Sequence, residues 1–345
     1  MRSASLLEVQ DLRVSFATER GDARVLDGVS LSIPEGRIMG LVGESGSGKT
    51  TLARAILGIL PAHVTRMRAG SIRFRGEELI GRAARAPEIR GRRITFIPQD
   101  PFGSLNPLFR VGAQMMELMK WKSPGRAPGE GRGLGGLFAR YPRARRGRDR
   151  AAVLDMLRAV QIPQPERALA KLPHEFSGGQ RQRLMIAMAL LPEPELVIAD
   201  EPTTALDVTI QAQILKLLKR LAKERGISVL FTTHDLGVAY ELCDEITVMY
   251  AGQDVETAPV EAFFHRPAHP YTARLLESLP DPRRGLREIG GEVPSLVAPP
   301  SGCRFHPRCG FASEACRAAR PDPEALDGAH AVRCHHPLVK APEAA

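Results

Sequence analysis

Long apolar runs are missing from this chain. No stretch of its 345 residues approaches the roughly 18 consecutive apolar positions that a membrane span needs. The N-terminus carries no signal-peptide apolar core, so the chain is expected to stay in the cytosol. Cysteine is scarce through the first 300 residues, where Cys243 stands alone and reads as a small core residue. Internal repeats and heptad runs are absent too, which argues against a solenoid or a long coiled coil.

What is present has the balance of a globular protein: 43% hydrophobic and 25% charged residues, on a length too great for one small domain. The formal net charge of +9 is concentrated in one place. Residues 120–150 hold ten Lys and Arg (Lys120, Lys122, Arg126, Arg132, Arg140, Arg143, Arg145, Arg146, Arg148, Arg150) against Glu130 and Asp149, eight of the nine net charges. The basicity belongs to a segment and not to a face, so no nucleic-acid partner is expected. That segment is rich in Gly, Pro and Arg and offers little apolar surface to offset ordering entropy, so 121–150 is expected to be a mobile loop.

The stretch with the clearest chemistry is Arg37-Ile38-Met39-Gly40-Leu41-Val42-Gly43-Glu44-Ser45-Gly46-Ser47-Gly48-Lys49-Thr50-Thr51. A short apolar run ending at Val42 reads as a buried strand, and Thr51 to Leu57 continues as a helix. Between them Gly43 to Thr50 fits the phosphate-loop pattern Gly-x4-Gly-Lys-Ser/Thr. Glycines let successive N–H groups approach phosphate oxygens at a helix N-terminus. Lys49 can place an ammonium between the β- and γ-phosphates, and the Thr50 hydroxyl can ligate Mg²⁺. This is a nucleotide site, and Mg²⁺ is its expected companion ion.

Elsewhere alternation predicts strands over Leu6–Phe16, Val25–Ile33, Gly70–Gly76 and Arg92–Asp100. Helical periodicity follows at Val111–Lys120, Ala151–Val160 and Gly178–Leu191, and strands and helices then alternate from Glu195 to Tyr250, with a helix expected over Val208–Arg225. The summary is an α/β fold with a helical insert: a nucleotide-binding core at 1–100 and 193–260, an insert at 101–192, and an extension at 261–345. Leu196-Val197-Ile198-Ala199-Asp200 is an apolar strand ending in a carboxylate that can hold Mg²⁺, and Glu201 can polarise an attacking water. Ser177 suits an N-cap, and Gly178 and Gly179 leave backbone N–H groups open to an anion.

Together these motifs resemble the ABC-type ATPases. Phe176-Ser177-Gly178-Gly179-Gln180 resembles their Leu-Ser-Gly-Gly-Gln signature, with Phe in first place. Gln99 follows a strand as their Q-loop glutamine does, Ala205-Leu206-Asp207 matches their D-loop, and His234 their switch histidine. Phe16 stands where an aromatic stacks on adenine. The resemblance covers about residues 6–256 and implies a mixed sheet plus an antiparallel β subdomain with a helical subdomain inserted. It implies Glu201 as catalytic base, Gln99 and His234 as sensors of the γ-phosphate and Mg²⁺, Mg²⁺ held by Thr50, Gln99 and Asp200, and Asp207 as coupler of two sites. Nucleotide would be sandwiched between Gly43–Thr51 of one subunit and the signature of a paralogous or identical second subunit.

Pro98 to Pro107, Pro173 to Gly179 and His269 to Leu276 narrow the resemblance to the oligopeptide/dipeptide transporter ATPases. That implies an ATP-hydrolysing importer subunit, peripheral on the cytoplasmic face of the inner membrane. Its partners would be two transmembrane permease subunits and, indirectly, an extracytoplasmic substrate-binding protein. Nickel or another small solute is the alternative cargo, and a soluble ABC ATPase acting on nucleic acid or ribosomes the competing class.

Four cysteines close the chain: Cys303, Cys309, Cys316 and Cys334. Cytosolic disulfides are disfavoured, so clustered thiols suggest a soft metal. Zinc would usually show a C-x2–4-C pair, which is missing, although His306, His330, His335 and His336 could join as ligands. The block from Gly302 to Cys334 resembles the tail of the transporter family, in which some members carry a [4Fe–4S] cluster. The resemblance thus makes a [4Fe–4S] cluster on the four cysteines the expectation, with zinc as the alternative.

Overall fold

The computed structural model describes residues 5–81, 86–126, 141–203, 207–279 and 289–339. The chain divides into two compact units, residues 1–82 with 230–345, and residues 83–229.

The first unit carries two sheets. Strands Gly21–Pro34, Ser5–Thr18, Thr65–Phe74 and Glu77–Glu78 form an antiparallel sheet in that order. Alternation explains the long pair: Leu7, Val9, Leu12 and Val14 are all buried, while Glu8 is partly covered and Gln10 and Arg13 face solvent. The second sheet is mixed. Strand Glu245–Tyr250 runs parallel to Ile38–Val42 and antiparallel to Gln253–Pro259. Two short strands from the C-terminal extension, His330–Val332 and Glu324–Asp327, continue it as an antiparallel edge. Strand Ile38–Val42 is buried along its whole length, as a β-strand covered on both faces must be. The extension is thus built into the sheet that carries the phosphate loop.

The second unit pairs Ile94–Ile97 in parallel with Leu196–Asp200. Its longer helices are Val111–Lys122, Arg143–Ala159, Gly178–Leu190 and Val208–Arg225. The last matches its predicted bounds because both ends are signalled: Asp207 caps the first turn by accepting from the Ile210 N–H, and Gly226 closes the helix in the left-handed region. Ile214, Leu217, Leu218 and Leu221 recur at three- and four-residue steps and are buried.

The expected loop over 121–150 needs correction. Trp121 and Lys122 end one helix, and the next begins at Arg143, eight residues before the predicted start at Ala151. The cause is a buried polar network centred on Asp149. Its carboxylate accepts from Ser123 Oγ at 2.7 Å and from the Tyr141 hydroxyl, and Arg145 lies beside it, donating to Lys120 O at 3.1 Å. Arg145 also stacks over the Tyr141 ring, 4.9 Å from its centroid. A run that reads as a mobile loop in sequence therefore supplies a buried ionic network. Residues 127–140 of that segment lie outside the described residues.

Candidate functional site

The phosphate loop leaves its strand at Gly43, where φ is 149° and an added Cβ would meet the Met249 carbonyl oxygen at 2.1 Å. Only glycine fits there. The loop then folds back on itself. The Ser47 N–H donates to Glu44 O at 3.2 Å, and the Gly252 N–H donates to Ser47 O at 2.9 Å. Gly48, at φ 105°, turns the chain into the helix Lys49–Leu57. Lys49 is buried and its ammonium reaches back to Gly43 O at 2.8 Å and Glu44 O at 3.2 Å. A helix N-terminus, a backbone ring and a fixed ammonium together make a cradle for anionic oxygens.

The other predicted residues of this unit are spread over the loop, the helix start, one strand and the end of another. Ser45 and Gly46 are exposed, and Thr50 and Thr51 are half-buried at the helix start. Phe16 is half-buried in its strand, opposite Ala23 and Thr65. His234 is exposed, between the strand end at Thr233 and the helix cap Asp235. Glu44 carries contacts that the motif does not foretell. Its N–H donates to the Tyr271 hydroxyl at 3.0 Å, and its carboxylate takes both terminal nitrogens of Arg308, at 2.8 and 3.1 Å. Those partners are more than 220 positions away in sequence, and no local pattern announces them.

In the second unit Asp200 closes its strand, 3% exposed, as a buried carboxylate. Glu201 follows at φ 45°, a left-handed conformation that costs a non-glycine residue about 1–2 kcal/mol. Gln99 Nε2 donates to Glu201 Oε2 at 3.2 Å, so two of the predicted catalytic side chains meet across 102 positions. Ser177 caps the helix Gly178–Leu190 by accepting from the Gln180 N–H, while Gln180 Oε1 accepts from the Ser177 N–H. Gly178 is half-buried. Gly179 is buried against Ile210, whose Cγ2 a Cβ would meet at 2.7 Å. Asp207 is the helix cap already described, and Ala205 and Leu206 lie outside the described residues.

The four tail cysteines line one cavity, together with His269, Phe305, His306, Phe311, His335 and His336 among others. Cys316 is buried, and Cys303, Cys309 and Cys334 are half-buried. Backbone N–H groups point at two of the sulfurs: Phe311 N donates to Cys309 Sγ at 3.4 Å and His336 N to Cys334 Sγ at 3.3 Å. Burial, with the neighbouring thiols adding to it, pushes Cys334 up to about 12 and raises Cys303 and Cys309 in the same direction. Among the described residues no three Cys, His, Asp or Glu side chains are close enough to hold a single metal ion. His269 is buried in the cavity wall: Nδ1 accepts from the Tyr271 N–H at 2.9 Å, and Nε2 has no hydrogen-bond partner. The neutral ring therefore carries its proton on Nε2.

Residues 26–204, just over half of the chain, match the family model described as ABC transporter. The chain belongs to the ABC transporter family. Residues 255–316 of this ABC protein match a second model, the C-terminal region of oligopeptide/dipeptide transporters. A Sinorhizobium fredii protein named as a probable peptide ABC transporter ATP-binding protein is 46% identical over 334 residues, 95% of this chain and 94% of its own length. The dipeptide transport ATP-binding protein of Escherichia coli is 40% identical over 339 residues, covering 97% of each. Among solved structures, a dimeric bacterial ABC transporter cassette overlays with a TM-score of 0.60 at 26% identity, over 74% of this chain and 98% of that one. A post-hydrolysis dimer of the same cassette, bound to ADP and phosphate, overlays at 0.59. Among the described residues no helix is long and apolar enough to cross a membrane.

Proposed function

We propose that this chain is the ATP-hydrolysing subunit of an ABC importer for di- and oligopeptides, bound peripherally at the cytoplasmic face of two transmembrane permease subunits. The observation that carries it is the closed glycine cradle around Lys49, in a chain whose residues 255–316 match the oligopeptide/dipeptide transporter C-terminal region. The names of the relatives support the same reading.

Each side chain then has a role. Loop N–H groups and Lys49 take the β- and γ-phosphates, and Phe16 offers a flat face to the adenine. Thr50, Asp200 and Gln99 would hold Mg²⁺, which when bound adds positive charge to the phosphate oxygens. Glu201 removes a proton from the attacking water, and its hydrogen bond from Gln99 aims the carboxylate. His234 reads the γ-phosphate from the end of its strand. Ser177, Gly178, Gly179 and Gln180 present a capped helix N-terminus to the nucleotide of a second ATPase subunit, with Asp207 beside the shared boundary. Phosphate charge is neutralised from both sides only when two such subunits close, so ATP favours the closed pair and hydrolysis releases it.

We propose further that the tail cysteines hold an iron–sulfur cluster, with zinc as the alternative. Four thiols line one cavity, the number that one such cluster takes. Their N–H partners and the unpartnered Nε2–H of His269 suit sulfur that carries negative charge. Cys303, Cys309, Cys316 and Cys334 would hold the cluster, which would supply a cross-link, and a one-electron couple if exposed to a redox partner.

Coexpression with its permease pair provides the test. The chain should purify with both permeases, and vesicles containing the assembly should accumulate dipeptides with ATP hydrolysis. Uptake of nickel and not of any peptide would replace the cargo; ATPase activity stimulated by nucleic acid alone would replace the function.

A further inference from the structure

We propose that Arg308 is a positioning residue for the nucleotide: it locks Glu44 of the phosphate loop in place and cancels a carboxylate that would otherwise face the triphosphate. This rests on the nucleotide reading of Gly43–Thr51.

The clamp is built to hold. Arg308 lies in the tail, directly before Cys309, and its side chain is only 3% exposed. Every donor nitrogen is engaged. Nε donates to Gly290 O at 3.0 Å. Nη1 donates to Glu44 Oε2 at 2.8 Å and to the Tyr250 hydroxyl at 3.2 Å. Nη2 donates to Glu44 Oε1 at 3.1 Å and to Ile289 O at 2.7 Å. The pair is the two-pronged guanidinium–carboxylate geometry that an ammonium cannot copy in full. Burial works against the charge, but the bonds to Glu44 and Tyr250 outweigh it and raise the guanidinium above its ordinary value.

A second anchor reaches the same loop residue. Tyr271 accepts from the Glu44 N–H, and its ring packs with Tyr250 at 4.6 Å and Phe305 at 5.3 Å between centroids. Glu44 is therefore fixed through main chain and side chain, both times by residues of the C-terminal portion. Its neighbours Gly43 and Gly46 are free to turn in ways other residues are not, so the loop would lose most of its preorganisation without these ties. Electrostatics adds a second effect of the same sign. An unpaired carboxylate one residue into a phosphate cradle repels a triphosphate, and Arg308 removes that repulsion.

The two effects separate in a double substitution. Binding of Mg·ATP to the purified full chain is measured by calorimetry, and kcat and KM by phosphate release. Arg308→Ala should weaken Mg·ATP binding and raise KM about tenfold, as the loss of one buried partner of an ion pair implies, with kcat within about twofold. Arg308→Lys should restore most of the affinity because the charge returns. Adding Glu44→Gln to Arg308→Ala should recover part of the loss, since the repelling charge is gone. A tail that only stabilises the fold would shift the melting temperature without that rescue. Parent-like affinity in Arg308→Ala, or further weakening when Glu44→Gln is added, overturns the proposal. Lys49→Ala is the separate control: if it binds Mg·ATP as tightly as the parent, the nucleotide reading itself fails.

Discussion

Between Gly43 and Thr51 nine adjacent residues shape a cradle out of backbone, whereas between Cys303 and Cys334 four side chains spread along the tail line a cavity with sulfur. The first depends on dihedral angles: glycines at φ 149° and 105°, and a lysine pinned to two carbonyls of its own loop. The second depends on tertiary placement, since no two of its cysteines are closer than six positions in sequence. A backbone site is intolerant of a single Cβ and takes its turns from adjacent residues. A side-chain site tolerates local change but leaves buried thiols, pushed far up in pKa, that only a cation makes comfortable as thiolates. Arg308 joins the two, one residue from a cysteine at one end and on the phosphate loop at the other.

The largest effect should come from the hydrolytic machinery that the cradle serves. Glu201→Gln keeps the size of the side chain and its place beside Gln99 but removes the base. Turnover should fall at least about 100-fold with Mg·ATP affinity retained, the scale of general-base catalysis. Unchanged turnover would mean a scaffold that binds nucleotide without using this carboxylate. A fall in affinity equal to the fall in kcat would instead place Glu201 among the binding groups.

What was readable before folding follows the same division. The phosphate loop, the strand ending at Asp200 and the helix Val208–Arg225 are each specified by adjacent residues, and their bounds are close to those read from periodicity and caps. The signature helix was legible for the same reason, though the sequence did not show that Gln180 also closes a capping box. Long-range pairs were not legible. Glu44 looked like a member of the loop and proves to be the anchor of the tail; Arg145 and Asp149 looked like part of a mobile loop and prove to be a buried network. Charge patterns report composition along the chain, and an ion pair between positions 264 apart leaves no trace there.

An intermediate effect should separate cluster from ion in the tail. Anaerobically purified chain should contain about four iron and four sulfide, and Cys316→Ala should lose most of both. One equivalent of zinc and no sulfide would assign the cavity to a single ion after modest rearrangement of the four thiols.

The smallest effect asks where acid enters the molecule. Burial pulls His269 down to about 4 from its ordinary 6.5, with Glu256 opposing weakly; that carboxylate already accepts from the His269 N–H and lies 2.9 Å from His330 Nε2. The folded chain therefore keeps the ring neutral down to about pH 4, while the unfolded chain takes up a proton from 6.5 downward. The unfolded state binds more protons in that window, so stability must fall with pH across it. The expected loss is about 1 kcal/mol at pH 5.5 and about 3 kcal/mol at pH 4 relative to neutral pH. His269→Asn keeps an acceptor for the Tyr271 N–H, and with it the helix cap, but cannot titrate. Urea midpoints at pH 7.5 and 5.5 should then show the parent losing about 1 kcal/mol more than the variant. Equal losses would move the acid-sensitive step away from the tail and toward carboxylates elsewhere, and the cavity wall would be no weaker to acid than the cradle it adjoins through Arg308.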